Sequence, residues 1–205
     1  MDVNVLLFPG FEPLDVFGPV EVLLHLKGVN LRYFSLNGGK VGTYKTLFIE
    51  TLPLEEIHAA GVFLLPGGPG TRKLVNEPLF LDKIKEIAEQ ATSVLTVCTG
   101  SALLAKTGLL DHKQATSNKR AFKWATAQNK QVLWIKKARW VKDGNLYSSS
   151  GVSAGIDMVL AFVADICSTA QADKIATQIE YHRNKTANDG CKLIPETTFK
   201  RAYNE

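Results

Sequence analysis

The chain has 205 residues, 45% of them hydrophobic and 21% charged, with a formal net charge of +4. That composition fits a globular protein with one sizeable core, read as one domain or one domain with embellishments. Three cysteines (Cys98, Cys167 and Cys191) without CxxC or Cys/His spacing argue against a disulfide framework and structural zinc, and the longest apolar run, residues 158–167, contains Asp165 and is too short to span a bilayer, so a cytoplasmic protein with no membrane partner is expected.

Residues 3–8 form an apolar strand that stops at Pro9-Gly10. Glu12, Pro13 and Asp15 then open a helix, since proline suits a first helical position and acids a first turn. Gly18-Pro19 is expected to break or restart that helix, with Val20, Leu23 and Leu24 on its apolar face. Residues 31–36 read as a second strand, Asn37-Gly38-Gly39 as a turn, and residues 40–51 as a small antiparallel excursion. Another buried strand, 62–65, ends at Pro66-Gly67-Gly68-Pro69-Gly70. Residues 78–90 form an amphipathic helix with Leu79, Leu81, Ile84, Ile87 and Ala88 inward.

The stretch Ser93-Val94-Leu95-Thr96-Val97-Cys98-Thr99-Gly100-Ser101-Ala102-Leu103-Leu104-Ala105 joins a β-branched strand to an Ala/Leu-rich helix with almost no linker. Such a junction forces a sharp turn, a nucleophile elbow that holds Cys98 at the carboxyl end of the sheet. A helix N-terminus aimed at it favours a thiolate over a thiol. Further on, 121–128 reads as a helix, and 132–135 and 138–141 as short strands. Asp143-Gly144 signals a hairpin into 146–149. Long helices are expected over 156–166 and 170–182, and from Arg183 a tail on the surface or partly disordered. Residues 112–142 hold nine Lys or Arg and no acid, together with all three tryptophans. No recognised nucleic-acid motif accompanies that charge, so it reads as a solvated basic face and no nucleic-acid partner is expected.

Alternating strands and helices predict an α/β fold with a mainly parallel sheet, whose site lies off the strands' carboxyl ends. Three loops qualify: residues 9–15, 66–70, and Cys98-Thr99. Taken alone, Cys98 reads either as a nucleophile or as a small buried hydrophobe. The 66–70 loop lacks GxGxxG spacing and a P-loop lysine, and offers close-approaching backbone N–H groups instead. Asp15 and Glu12 are both candidate proton carriers for the thiol. None of His25, His58, His112 and His182 can be paired with Cys98 from local sequence. No metal site and no cofactor are expected.

The segments 8–22, 65–70, Val97-Cys98-Thr99-Gly100-Ser101 and 150–157 resemble the ThiJ/PfpI superfamily, the class I glutamine-amidotransferase-like fold. The resemblance is greatest to isonitrile hydratases and to the sensor domains of AraC-type regulators, and runs from about residue 3 to about residue 190. It implies a flavodoxin-like sandwich with helices on both faces of the sheet, usually a homodimer, acting on a small-molecule substrate. It implies Cys98 as nucleophile, Asp15 as acid/base, backbone amides of Gly67, Gly68 and Thr99 stabilising the intermediate, and the Thr99 hydroxyl beside the sulfur. The implied activity is that of a lyase of the isonitrile hydratase type. Where hydratase relatives carry Ala-Thr-Thr-His-Trp, this chain has Ala115-Thr116-Ser117-Asn118-Lys119, and Thr99 stands where protease and amidotransferase branches carry histidine. A glyoxalase- or deglycase-like enzyme and a redox-responsive or ligand-sensing protein remain the rival readings.

Overall fold

The computed structural model describes residues 1–43, 47–57 and 60–188. The chain opens with β1 (Asp2–Leu6), α1 (Pro13–Leu24), β2 (Asn30–Ser35), β3 (Asn37–Gly42) and β4 (Phe48–Pro53). After β5 (Val62–Leu65) come a short α2 (Thr71–Leu74), α3 (Pro78–Gln90), β6 (Ser93–Val97) and α4 (Gly100–Lys106). The remainder is β7 (Gln114–Ala115), α5 (Phe122–Ala127), β8 (Leu133–Trp134), β9 (Trp140–Asp143), β10 (Leu146–Ser149), α6 (Ala154–Ile166) and α7 (Thr169–Gln178).

Among the described residues, eight strands form one sheet in the order β3-β4-β2-β1-β5-β6-β10-β9. The inner strands β4, β2, β1, β5, β6 and β10 run parallel; only the edge strands β3 and β9 are antiparallel. A row of aligned residues crosses the sheet from Tyr33 through Val5, Leu64 and Leu95 to Tyr147. The central strands are largely apolar and buried along most of their length because both of their faces are covered, with Asn4 and Thr96 as buried polar exceptions. On one side α1 packs on α6 and α6 on α7; a second group brings α2 and α3 against α4. This is the flavodoxin-like sandwich with a mainly parallel sheet that the resemblance implied.

Several local expectations change. Gly18-Pro19 does not break the first helix, since α1 continues through Pro19. The pair serves packing instead: a Cβ on Gly18 would stand 2.8 Å from Ile156 Cγ1, so α6 can approach α1 only over a glycine. Val20 and Leu23 are buried within the chain, while Leu24 is exposed. Residues 37–39 are the start of the edge strand β3, with the turn confined to Leu36. On α3 the inward line is Phe80, Ile84 and Ala88, and Leu79 faces solvent. Cys167 lies exposed just past the end of α6.

The segment after α7 is also tied down as far as residue 188. Asp157, inward on α6, accepts hydrogen bonds from Arg139 Nε (2.6 Å), Tyr181 Oη (3.0 Å) and the Asn184 backbone N–H (2.8 Å). Arg139 N–H donates to Ala187 O at 2.7 Å. A buried carboxylate with three donors is a strong local anchor, and sequence periodicity carries no sign of it.

Candidate active site

Four parallel strands, β1, β5, β6 and β10, release their chain at the same edge of the sheet. The segments that follow carry Asp15, Gly67, Cys98 and Val152. Strand β1 lies between β2 and β5, so the chain reverses its direction of winding there, where a crevice is expected in a sheet of this kind.

Cys98 sits between β6 and α4 with φ of 57°, a left-handed conformation that costs a non-glycine residue about 1–2 kcal/mol. Its backbone is held there from both sides. The Cys98 N–H donates to Ser149 O (3.2 Å) and Ser150 O (3.0 Å), and its carbonyl accepts from Ser101 Oγ (3.0 Å) and Ser117 Oγ (2.9 Å). The elbow is thus fixed by groups from β10, α4 and the loop after β7. The side chain points up beneath a cleft of about 460 Å³ whose lining also includes Glu12, Arg72, Asn118, Arg120 and Val152.

Asp15 lies fully buried on the first turn of α1. Its Oδ2 accepts the Gly67 backbone N–H at 2.9 Å, its Oδ1 meets no nitrogen or oxygen donor, and the Cys98 side chain faces the carboxyl group. Burial pushes its pKa up to about 8, against the lowering effect of the Gly67 N–H. The carboxyl therefore carries a proton at neutral pH, which also resolves its bare oxygen: protonated, that oxygen can donate to sulfur. Burial likewise pushes the Cys98 thiol up, and an ionised Asp15 would push it further. The expected resting thiolate is therefore corrected. The helix N-terminus does not offset desolvation at this depth, and the resting pair is an acid beside a thiol.

Three donors converge on the sulfur: the Thr99 N–H, the Asn118 side-chain amide and the Val152 N–H. Asn118 Oδ1 accepts the Ala121 N–H at 3.1 Å, which turns the amide nitrogen the other way, toward sulfur. Gly151 makes room for it, because a Cβ there would overlap Asn118 Nδ2. Val152 holds φ of 43°, unusual for a β-branched residue, and so aims its N–H into the cleft.

The structure brings Asp15, Thr99, Gly67 and Gly68 to Cys98 but distributes their work differently. The Gly67 amide is taken by Asp15, and the Gly68 amide donates to Thr99 Oγ1 at 3.0 Å. The Thr99 hydroxyl bonds with Gly68 and with Thr71 Oγ1 at 3.1 Å. The expected Gly67 and Gly68 donors are thus occupied, and Asn118 and Val152 offer N–H groups instead. Sequence reading met Asn118 only within the run 115–119 that departs from the hydratase pattern, with no role attached. Val152 gave no sign. His25 pairs with Glu21 away from the site, His112 and His182 are exposed, and His58 lies outside the described residues.

The DJ-1/PfpI family pattern matches residues 1–165. The chain belongs to the DJ-1/PfpI family. Among curated DJ-1/PfpI relatives it is 33% identical to an isonitrile hydratase from Pseudomonas putida, over 88% of this chain and 78% of that one. It is 24% identical to the HTH-type transcriptional regulator CdhR of Pseudomonas aeruginosa, over 97% of this chain but only 60% of the regulator. Among solved structures, a ThiJ/PfpI family protein from Pseudomonas syringae superposes with a TM-score of 0.80 at 26% identity, covering 92% of this chain and 78% of that one.

Proposed function

We propose that this DJ-1/PfpI member is a cysteine-dependent enzyme of the isonitrile hydratase type, with Cys98 as nucleophile and Asp15 as proton carrier. The observation that carries the reading is the buried Asp15 carboxyl, pKa about 8, facing the Cys98 thiol at the floor of an open cleft. A carboxylic acid that is protonated at neutral pH and easily deprotonated suits proton shuttling. The 33% identity to an isonitrile hydratase supports the choice of substrate class.

The reaction balances as follows. Sulfur bonds to the terminal carbon of R–N≡C while Asp15 gives that carbon its proton and then takes up the thiol proton. The product of this step is a thioimidate, R–N=CH–S–Cys98, with Asp15 again protonated. Water adds to the same carbon, the C–S bond breaks, and sulfur regains a proton. The released R–N=CH–OH becomes the N-formyl amine R–NH–CHO. The negative charge that sulfur takes up as the C–S bond breaks is met by the Thr99 N–H, the Asn118 amide and the Val152 N–H, donors already in place.

Asn118 separates this reading from a glyoxalase-type one. Its amide donates toward sulfur and cannot take up a proton there, which leaves proton transfer to the cleft's carboxyl groups, Asp15 facing the thiol and Glu12 on the lining. The relationship to a regulator favours a second use of the same cleft, ligand sensing without turnover. A panel of isonitriles, methylglyoxal and small amides, assayed with wild type, Cys98→Ala and Asp15→Asn, decides between them. N-formyl amine formed by wild type and lost in Cys98→Ala supports the hydratase. Saturable binding of panel members with no product supports the sensor.

A further inference from the structure

Two guanidinium groups, Arg72 and Arg120, share the lining of the Cys98 cleft with one carboxylate, Glu12, and the carboxyl beneath the cleft is protonated at neutral pH. Arg72 belongs to α2, immediately after the loop that holds Asp15 and Thr99. Its guanidinium lies over the Trp124 ring of α5, 3.3 Å from the ring centroid. Stacking occupies the face of the guanidinium and fixes its plane; the N–H groups in that plane stay available. No carboxylate forms an ion pair with Arg72 among the described residues, and none of its guanidinium N–H groups donates to another group there. The group is also close enough to Cys98 for their charges to interact. Arg120 enters from the loop before α5, two residues after the asparagine that donates to the sulfur.

A planar, pre-set fork of donors beside a nucleophile matches a planar anion, and a carboxylate accepts such a fork with two parallel hydrogen bonds. We propose that the substrate carries a carboxylate near its reactive carbon, held by Arg72 and Arg120 while Cys98 attacks. The inference rests on Cys98 being the nucleophile of this cleft and narrows the substrate class to small anionic electrophiles. It also assigns a role to Trp124, one of the three tryptophans of the basic stretch: it orients Arg72.

The test uses alkylation, which needs no turnover. Thiolate displaces iodide from iodoacetate or from iodoacetamide, two reagents of similar size that differ in charge. Rates at pH 8.5 are read for each cysteine by peptide mass mapping, with exposed Cys167 as the reference inside the same molecule. The ratio of iodoacetate to iodoacetamide rates at Cys98 should exceed that at Cys167 by about tenfold, the lower end of the gain expected from a charge-lined cleft. It should fall to the Cys167 value in Arg72→Met with Arg120→Met, and survive in part in Arg72→Lys. Should Arg72→Met lose the fold with its stack on Trp124, the exposed Arg120 carries the test alone as Arg120→Met. Equal ratios at the two cysteines in wild type, or a Cys98 ratio that the arginine variants leave unchanged, would overturn the proposal. Charge selectivity without hydration of any isonitrile keeps this proposal and sinks the hydratase reading. Hydration of neutral isonitriles with no charge selectivity does the reverse.

Discussion

Asp15 ties the chemistry of the site to the stability of the fold through one proton. The unfolded chain releases it near the ordinary carboxylate value of 3.8, the folded chain near 8. Between those values the folded state binds more protons, so stability falls as pH rises, by up to about 1.4 kcal/mol per pH unit from this group. Asp15→Asn mimics the protonated acid: it still accepts the Gly67 N–H and still presents a donor. It should remove most of that slope and unfold at higher urea than wild type at pH 8, while the two agree more closely at pH 5. The same variant should lower kcat by about 10²-fold or more once a substrate is in hand, because an amide cannot shuttle a proton. Asn118 gives a separate check. Asn118→Asp turns a donor toward sulfur into an acceptor, so iodoacetamide should modify Cys98 more slowly in it than in Asn118→Ala. The elbow at Cys98 was legible in sequence because a strand running straight into a helix is a local pattern; the proline-led helix start offered Glu12 and Asp15 alike, and only the resemblance made Asp15 legible. Asn118 and Val152 were not, because donation to a sulfur made by another segment depends on three loops meeting.

Helix α6 shows why element packing is harder to read than element identity. Its span was close to expectation, yet both of its important contacts are with distant segments. Gly18 of α1 faces Ile156, and a pair that reads locally as a helix breaker is a helix crossing. Gly18→Val should destabilise by about 1–3 kcal/mol through overpacking against Ile156, measured by urea unfolding, with the helical circular dichroism of the folded protein unchanged. Asp157 governs the other contact. Asp157→Ala leaves Arg139, whose side chain is only 18% exposed, without its carboxylate and frees Tyr181 and Asn184. The loss should be about 3–5 kcal/mol, with faster amide exchange over residues 181–188 than over β1 or β6. Helix α3 gives the complementary lesson. Leu79, Phe80 and Leu81 are all apolar, and which of them points inward is decided by the rotation at which the helix lands on its neighbours; Phe80 against Phe8 settles it.

At the scale of the whole molecule, the alternation of apolar strands with helices was enough to indicate the parallel sheet, because covered strands must be largely apolar. Strand order was not legible, since it depends on which crossover goes to which side of β1. A homodimer is expected in solution, with light scattering at micromolar concentration giving twice 22.5 kDa. Val20 and Leu23 cannot supply its contact, since they lie in the protomer's own core. No helix of the described residues is long and apolar enough to cross a membrane. The left-handed backbone at Cys98 reaches beyond the site, into how much heat the molecule withstands. Glycine in place of alanine ordinarily lowers a melting temperature, because the unfolded chain gains freedom. At position 98 the order should invert. Cys98→Gly relaxes a conformation that Cys98→Ala must still bear, so the glycine variant should melt higher by about 2–4 °C for a net gain near 1 kcal/mol. Endurance and reactivity then pull against each other at one residue: a lineage that kept the cleft only to bind ligands would gain heat tolerance by giving up its thiol.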